Sequence, residues 1–563
     1  MTCNNYPNRK LSQQTVQIFF TMNATKPNHD RYNILIEFAH VHLEFQRPEL
    51  QSVLCLHDIV IDRDCIEIPL PSSIAEVANC RPFLILSFDY QYAKNKFNLE
   101  DKGEVLSSEI SRYSTITTEK PTIASMLSRC TLIRSVIELW GAGESFDACV
   151  ESVRDLSKGH AGKDMYANSM NPSSSWKITI HTLGTKFNRE EHNEMRMKFA
   201  FLDYPGKVQM VDPTNEFLLI REIELDSYGG LLHEKDNSRQ PLAVFYGRTL
   251  GGIRDWRGSG RLEQFSLKKR SYLGPTSMDA ELSLIMTNFG LVKKGSFCFE
   301  PFVGTGSILL TCGLRGGYCV GTDIDIRVLR GRSDEENVLT NFEQYKLERP
   351  DLIRSDNALY HRHYRTTKPI YDAIITDPPY GIRAGARKTG TKNNEVREVP
   401  DERRHDHIAQ TMVYAVSDVM SDLLDVSAQT LVMGGRLVYI IPSMTDFDAE
   451  VDLPRHDCLE LVHVCYQPLQ TELGRRVVTM EKVKEYNAAD REKYISSTWV
   501  NGPESAEKCA NIRERLIEAA KLKPGYEEKA AFRKKRRLET KEAKKKAKRG
   551  KAVQSSSPED SNE

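Results

Sequence analysis

The stretch TDPPY (376–380) places an acid, two prolines and an aromatic ring directly after a short apolar run. An exocyclic amine of a nucleobase is a poor nucleophile, because its lone pair is delocalised into the ring. A catalyst must accept the amine hydrogens and turn the lone pair toward an electrophilic carbon. Asp377 supplies a carboxylate acceptor, Pro378 a carbonyl restricted by Pro379, and Tyr380 a face for stacking the base. The pattern predicts a base-amine clamp beside a methyl donor; a surface turn is the alternative.

A second candidate site is the sequence EPFVGTGS, which has two glycines in a predicted strand-to-helix turn. The missing side chains let a ligand approach the backbone closely. Leu309 stands where a dinucleotide fingerprint has a third glycine or alanine, and no Gly-Lys-Ser/Thr of a phosphate loop follows. A nucleoside-containing ligand without a tightly held pyrophosphate fits better, although a plain tight connection is the alternative. The predicted donor-binding residues here are Glu300, Pro301, Phe302, Gly304, Thr305 and Gly306.

Acids also follow two further predicted strands. Asp323 lies 17 residues after the last glycine of the turn, where a carboxylate can accept hydrogen bonds from ribose hydroxyls. Asp325 is expected to cap the following helix. Asp356 follows another short apolar stretch and is placed to accept a hydrogen bond from an adenine amino group. Their neighbours Ile324 and Asn357 belong to the same predicted donor site.

These sites require a scaffold that brings strand ends together. After Arg270, nearly continuous apolar strands alternate with helices, which predicts an α/β fold with a parallel, doubly wound sheet. Ligands bind at the carboxyl ends of such strands. Thr276 and Asp279 have capping-box spacing at the start of a predicted helix over 275–290. The other predicted elements are strands at 296–300, 318–321, 371–376 and 436–441, and helices at 307–314, 334–345 and 409–424.

The residues before this region predict smaller α+β units. Apolar and polar residues alternate with period two over 176–182, which predicts a half-buried strand. The predicted divisions of the chain are a loose N-terminus (1–30), an N-terminal α+β domain (31–155), a second α+β domain (156–255), the doubly wound domain (256–490), and a helical and basic tail, partly disordered (491–563).

Length, charge and composition exclude several classes of protein. The chain has 563 residues, too many for one ordinary core, and 78 basic and 78 acidic residues give a formal net charge of zero. The run 533–551 is strongly basic, which indicates an RNA-contact or nuclear-import patch or a solubilising tail. The cysteines form no CxxC pair and the histidine pairs have polar surroundings, so no metal site is predicted. No apolar run reaches the roughly 18 residues of a membrane span, and a cytoplasmic protein is expected.

Taken together, the motifs resemble S-adenosylmethionine-dependent amino methyltransferases, and more narrowly the eukaryotic tRNA guanosine-10 N2-methyltransferase catalytic subunit family. The resemblance rests on LKKRSYLGPTSMDAELSLIMTN (267–288), EPFVGTGSIL (300–309), GTDIDIRVLRG (321–331) and TDPPYGIRAGARK (376–388). It implies a Rossmann-like catalytic domain, S-adenosylmethionine as donor, and an RNA-binding THUMP domain over 156–255. It also implies a heterodimer with a small zinc-binding activator protein. Glu300 stands where the family usually has aspartate.

The polar, basic loop 382–407 is longer than an ordinary connection. We expect it to fold over the target nucleotide; a mobile surface loop is the alternative. Predicted tRNA-contacting residues are Arg383, Arg387 and Lys388 in this region and Lys186 after the strand at 176–182.

The sequence therefore predicts a methyltransferase acting on the N2 amine of a guanosine in tRNA, at position 10 in the D-arm. One alternative is an N2-guanine or N6-adenine methyltransferase acting on another RNA or DNA site, because the clamp suits all planar amines. Another is a non-catalytic RNA-binding subunit, against which the intact motifs at every strand end argue.

Overall fold

The structure is a computed structural model that describes residues 30–72, 81–99, 120–182, 187–224, 240–250, 263–274, 277–364, 368–380, 385–391, 399–403, 410–469 and 473–500, with isolated residues beyond. Lys186 and Arg383, two of the predicted RNA-contacting residues, lie outside the described residues. So do nearly all of the predicted N-terminal segment 1–30 and most of the tail predicted over 491–563.

The first half of the chain forms one mixed sheet with helices. Its strands are β1 Arg31–Phe38, β2 Cys65–Ile68, β3 Phe83–Asp89, β4 Ile133–Gly143, β5 Ser175–His181, β6 Lys207–Val208, β7 Asn215–Glu222 and β8 Ala243–Thr249. Its helices are α1 Leu43–Leu56, α2 Tyr90–Lys96, α3 Ile123–Leu127, α4 Phe146–Lys158, α5 His160–Ser169 and α6 Arg189–Met197. The strand order is β2-β3-β1-β4-β8-β7-β5-β6. Successive residues of β1 contribute to two different apolar clusters, so both faces of the sheet are covered.

The two predicted α+β units, 31–155 and 156–255, share this sheet. The predicted boundary lies inside α4, and β8, from the second unit, pairs with β4, from the first. A buried ion pair joins the same two strands: Arg248 of β8 donates to Glu138 of β4 at 2.9 and 3.0 Å. The two units are thus not separate sheets. The strand predicted at 176–182 is present as β5.

The second half contains a seven-stranded sheet. Its strands are β9 Phe297–Glu300, β10 Tyr318–Asp323, β11 Asp351–Arg354, β12 Tyr371–Thr376, β15 Leu431–Met444, β16 Leu459–Pro468 and β17 Leu473–Lys482; β13 Arg387–Thr389 and β14 Thr411–Val413 form a separate hairpin. Its helices are α7 Ala280–Phe289, α8 Ser307–Leu314, α9 Ile326–Arg330, α10 Val338–Gln344, α11 Tyr360–His363, α12 Val416–Thr430, α13 Ala449–Asp452 and α14 Arg491–Ser496.

The strand order of this sheet is β11-β10-β9-β12-β15-β17-β16. The first five strands are parallel, which confirms the predicted doubly wound arrangement. The sheet also contains β17, which was not predicted and runs antiparallel to both β15 and β16. A short connection between β16 and β17 permits this hairpin, whereas a parallel pair needs a long crossover.

Two predicted helices begin later than expected. The helix predicted over 275–290 is α7, and its cap is Asp279, whose carboxylate accepts the Glu281 N–H at 3.0 Å; Thr276 lies outside the described residues. The helix predicted over 409–424 is α12, which starts at Val416 because 411–413 pair as β14 instead.

The two halves meet along α1 and α7. The Phe45 ring stacks on Phe289 with centroids 6.1 Å apart and planes 11° from parallel. Asn288 donates to the buried Glu49 carboxylate at 2.8 Å and accepts from Arg129 at 2.9 Å. Apolar contact and buried polar bonds therefore join the N-terminal sheet to the seven-stranded sheet. Among the described residues, no helix is long and apolar enough to cross a membrane.

Candidate active site

Three of the predicted acids meet at the carboxyl edge of the seven-stranded sheet. β9 lies between β10 and β12, and Gly321 of β10 is in register with Glu300, the last residue of β9. Asp323 ends β10, and Asp377 follows directly after β12. Asp377 and Asp323 both act electrostatically on Glu300. The strand order thus brings together acids that are up to 77 residues apart in sequence.

The glycine turn after β9 has two residues with left-handed backbone, Gly304 at φ +50° and Gly306 at φ +76°. Residues with a Cβ rarely adopt this conformation. A Cβ on Gly306 would lie 2.7 Å from Val338 Cγ1, whereas a Cβ on Gly304 would meet nothing within 4 Å. Gly306 is therefore required by packing, and Gly304 borders open space where a ligand can approach the backbone.

Asp323 holds this turn in place. Its Oδ2 accepts the Gly304 N–H at 3.0 Å and its Oδ1 accepts the Asp325 N–H at 2.9 Å. Burial raises the pKa of Asp323, and these amide bonds oppose the increase. Asp325 caps α9 by accepting the Arg327 N–H, as predicted. Each carboxylate oxygen of Asp323 retains a further lone pair, so it can also accept from a hydroxyl.

Glu300 is buried, with 3% of the residue exposed, and its Oε2 accepts the Leu309 N–H of α8 at 3.2 Å. Burial raises the pKa of Glu300 well above its ordinary value, and the nearby Asp377 and Asp323 raise it further. This carboxyl connects the end of β9 to the first turn of α8, so it fixes the shape of the glycine turn between them.

Asp356 and Asn357 are both buried after β11. Asp356 Oδ1 accepts the Ala358 N–H at 2.9 Å, and Oδ2 accepts the Thr389 N–H of β13 at 2.6 Å. The Asn357 side chain forms no hydrogen bond of ordinary geometry with the described residues. Burial and Asp422 raise the pKa of the Tyr414 hydroxyl, and Asn357 lies close enough to oppose this increase. A buried amide with unused donors and acceptors can serve a polar ligand group.

The clamp follows β12, which ends at Thr376 as predicted. Asp377 is half-buried and Pro378 is buried. Tyr380 is only 7% exposed and belongs to an apolar cluster with Val416 and Met420. The ring predicted to stack the base is thus largely buried in this structure.

Comparisons with known proteins match both halves of the chain. The family "Tmrp11 THUMP N-terminal domain" matches residues 105–254, and the family "RMKL-like, methyltransferase domain" matches residues 268–394. The first match crosses the boundary predicted at 155/156, and the second includes the glycine turn, the strand-end acids and the clamp.

A Dictyostelium discoideum protein named "tRNA (guanine(10)-N(2))-methyltransferase TRMT11" is 39% identical over 422 residues, which are 72% of this chain and 78% of that protein. The Bos taurus protein of the same name is 34% identical over 484 residues, 83% of this chain and 91% of that protein. The chain belongs to this family. Among solved structures, TrmN from Thermus thermophilus is similar to this TRMT11 family member with a TM-score of 0.34 and 13% sequence identity. The match covers 80% of this chain and 100% of that one.

The remaining predicted residues of this family member lie around the same edge. Pro301 accepts the Thr322 hydroxyl at its carbonyl oxygen, 3.2 Å away, and the Thr305 hydroxyl lies 2.7 Å from Ser277 Oγ. Phe302 packs against two of the apolar clusters, including the one under the β13–β14 hairpin. Ile324 is half-buried beside Asp323.

The hairpin carries the two described basic residues of the predicted RNA site. Arg387 is exposed, whereas the Lys388 ammonium pairs with Asp418 at 3.2 Å and lies 5.3 Å from the Tyr414 ring centroid. Arg387 is therefore the basic side chain here that is open to solvent, and Lys388 is already engaged by α12 and the hairpin.

Sequence reasoning missed Tyr414 and Thr389. Tyr414 was inside a predicted helix, but it follows β14, is 2% exposed, and packs with Ala386 beside Phe302. Thr389 enters the site through its backbone, which no residue type reveals. In the described part of the chain, no cluster of three or more His, Cys, Asp or Glu residues is arranged to hold a metal ion.

Proposed function

We propose that this chain transfers a methyl group from S-adenosylmethionine to the exocyclic N2 amine of guanosine 10 in tRNA. The observation that carries the proposal is the position of the Asp377–Tyr380 clamp, directly after β12 and beside the glycine turn that follows the neighbouring strand β9. Membership of the guanine(10)-N2 family supports the choice of acceptor.

The residues at the sheet edge fit S-adenosylmethionine. Gly304 borders open space at the turn, Asp323 is fixed with lone pairs for ribose hydroxyls, and the buried Asn357 amide has unused polar atoms beside Asp356. These groups would hold the amino-acid end, the ribose and the adenine in that order along the edge from β9 to β11. When bound, S-adenosylmethionine supplies a methyl group on an electron-poor sulfonium sulfur.

The clamp makes the amine reactive. Asp377 and the Pro378 carbonyl accept hydrogen bonds from the two N2 hydrogens, which turns the nitrogen lone pair out of conjugation with the ring. The negative charge of Asp377 favours the positive charge that develops on nitrogen as its bond to the methyl carbon forms and the carbon–sulfur bond breaks. Asp377 then accepts the proton that the methylated nitrogen loses. Tyr380, directly after the two prolines, is the proposed stacking surface for the base.

The N-terminal sheet is the proposed tRNA-binding unit, because it includes the region matched by the THUMP family. Arg387 is exposed on the hairpin next to the donor site and is the described residue best placed for a phosphate contact. Lys186 and Arg383 remain proposed contacts on sequence alone. We also propose a cytoplasmic heterodimer with a small zinc-binding activator protein, which the family resemblance implies; copurification of the tagged chain and imaging in cells test this.

Mass-spectrometric nucleoside mapping of tRNA tests the main proposal. In cells that lack this protein, N2-methylguanosine at position 10 is expected to disappear, and the wild-type chain restores it. An unchanged methyl at position 10, or loss at another RNA site only, would contradict the proposed acceptor.

A further inference from the structure

Arg270 is a buried cation that forms no ion pair with any described residue. It is 6% exposed, and its Nη1 donates to Ser307 Oγ at 2.7 Å. Within the described residues, Nε and Nη2 form no hydrogen bond of ordinary geometry, although the Tyr345 hydroxyl is close enough to interact with the guanidinium. Burial lowers the pKa of Arg270; Asp279 and the Tyr345 hydroxyl oppose this, but in the described residues neither forms an ion pair with it. An unpaired buried charge is strongly unfavourable, so the guanidinium is suited to an anion that the chain does not supply.

The guanidinium lies at the start of α8, where amide hydrogens are also unused. The cap residue Gly306 has no side chain to accept a hydrogen bond. The Leu309 N–H is bonded to Glu300, but within the described chain the N–H groups of Ser307 and Ile308 have no acceptor. Helix N-termini favour anions through these free N–H groups and the helix dipole. A positive side chain and a free helix terminus therefore converge next to the glycine turn.

Gly274 and Ser277 also lie against the glycine turn. Gly274 N–H donates to Ser277 Oγ at 2.9 Å, and that hydroxyl is 2.7 Å from Thr305 Oγ1 in the turn. A carboxylate suits this buried guanidinium, because Arg recognises carboxylates with two parallel hydrogen bonds. An RNA phosphate is less suitable, because two flanking nucleosides would have to enter with it.

We propose that Arg270, with the free amides of α8, binds the α-carboxylate at the amino-acid end of S-adenosylmethionine. This rests on the proposed function and adds a ligand-binding residue outside the glycine turn and the strand-end acids. It assigns the two unpaired nitrogens of Arg270 to the two oxygens of one ligand group.

The first test compares ligands on the wild-type full chain by calorimetry. S-adenosylhomocysteine keeps the carboxylate, its decarboxylated form lacks only that group, and 5′-methylthioadenosine lacks the whole amino-acid end. We expect removal of the carboxylate to weaken binding roughly 10- to 100-fold, the usual range for a charge-assisted hydrogen bond. Equal affinity for S-adenosylhomocysteine and its decarboxylated form would overturn the proposal without any variant.

The second test assigns the effect to Arg270. Arg270→Gln should weaken S-adenosylhomocysteine binding roughly 10- to 100-fold, leave 5′-methylthioadenosine within about twofold, and bind the decarboxylated ligand like the wild type; Arg270→Lys should restore part of the loss. Arg327→Gln, an exposed arginine paired with Asp325, is the matched control. An equal loss for all three ligands means a structural role and overturns the proposal. Failure of the wild type to bind S-adenosylhomocysteine at all would instead refute the proposed donor.

Discussion

The backbone N–H of Thr389 donates to the Asp356 carboxylate at 2.6 Å, so the hairpin that follows the clamp is bonded to the predicted adenine-binding acid. The same hairpin carries Arg387 and packs, through Ala386 and Tyr414, beside Phe302 of the glycine turn. Elements proposed for the donor and for the RNA thus share one carboxylate and one small apolar cluster.

Removal of the shared carboxylate is expected to loosen the hairpin. Asp356→Ala leaves the Thr389 N–H without its acceptor, so tryptic cleavage after Arg387 should become several times faster, and S-adenosylhomocysteine binding should weaken by about tenfold. Asp325→Ala, which removes a cap on α9 but no contact to the hairpin, is the control. Unchanged cleavage in Asp356→Ala would mean that this bond does not hold the hairpin.

Asp377→Ala should reduce methyl transfer to tRNA by at least about 100-fold, because the amine loses its carboxylate acceptor. Binding of S-adenosylhomocysteine, measured by calorimetry, should remain within a few-fold of the wild type. Asp372→Asn provides a control at the opposite end of the same strand, where Asp372 accepts the Phe297 N–H at 2.8 Å. Wild-type turnover by Asp377→Ala would refute the clamp.

The two glycines of the turn should respond differently to alanine. Gly306→Ala combines a left-handed φ with a Cβ at 2.7 Å from Val338, so urea unfolding should show a loss of about 2–4 kcal/mol. Gly304→Ala has the backbone strain but open space, so a loss of about 1–2 kcal/mol is expected. Gly304→Ala should instead weaken the affinity for S-adenosylhomocysteine, because the added Cβ points into the open space beside the turn. If Gly304→Ala lost as much stability as Gly306→Ala and still bound S-adenosylhomocysteine like the wild type, a ligand at Gly304 would be contradicted.

The stability of the region under the hairpin should depend on pH through Asp422. Burial raises the pKa of this acid to about 6, whereas in the unfolded chain it is about 3.9. The folded state therefore binds more protons between these values, and stability falls as pH rises from about 4 to 6. Asp422→Asn keeps an acceptor for the Tyr414 hydroxyl and avoids the buried charge.

Thermal unfolding tests this dependence. At pH 7.5 Asp422→Asn should be more stable than the wild type, on the order of 2 kcal/mol, and the difference should shrink at pH 5. Glu335→Gln, at an exposed position, should show no such change. A difference that grows as pH falls would have the wrong sign.

The sequence predicted the parts of the catalytic unit that have strong local patterns. β12 and α8 have the predicted bounds, because a buried apolar run and a glycine turn define their ends. Asp325 caps its helix as expected from its residue type and position. Contacts made at long range were not accessible in this way. Nothing local to Tyr380 indicates that its ring is buried in a cluster that includes Val416 and Met420, since α12 begins over 30 residues later.

The antiparallel strand β17 and the shared N-terminal sheet were missed for a related reason. Strand direction and sheet membership depend on pairing between distant segments, and an apolar strand has the same pattern in either direction. Arg270 shows the same limit at a single residue. In the sequence it is one of several basic residues before a predicted helix, and only its burial beside Ser307 distinguishes it.

The stacked rings of Phe45 and Phe289, with the bond from Asn288 to Glu49, connect the two halves of the chain directly. If the first sheet binds tRNA, the distance from the bound RNA to Asp377 is fixed by the protein and not by the RNA. The spacing between the tRNA-binding surface and the clamp would then select the guanosine that is methylated. A tRNA with an altered number of base pairs between the bound region and the D-arm would then present a different nucleotide to the clamp.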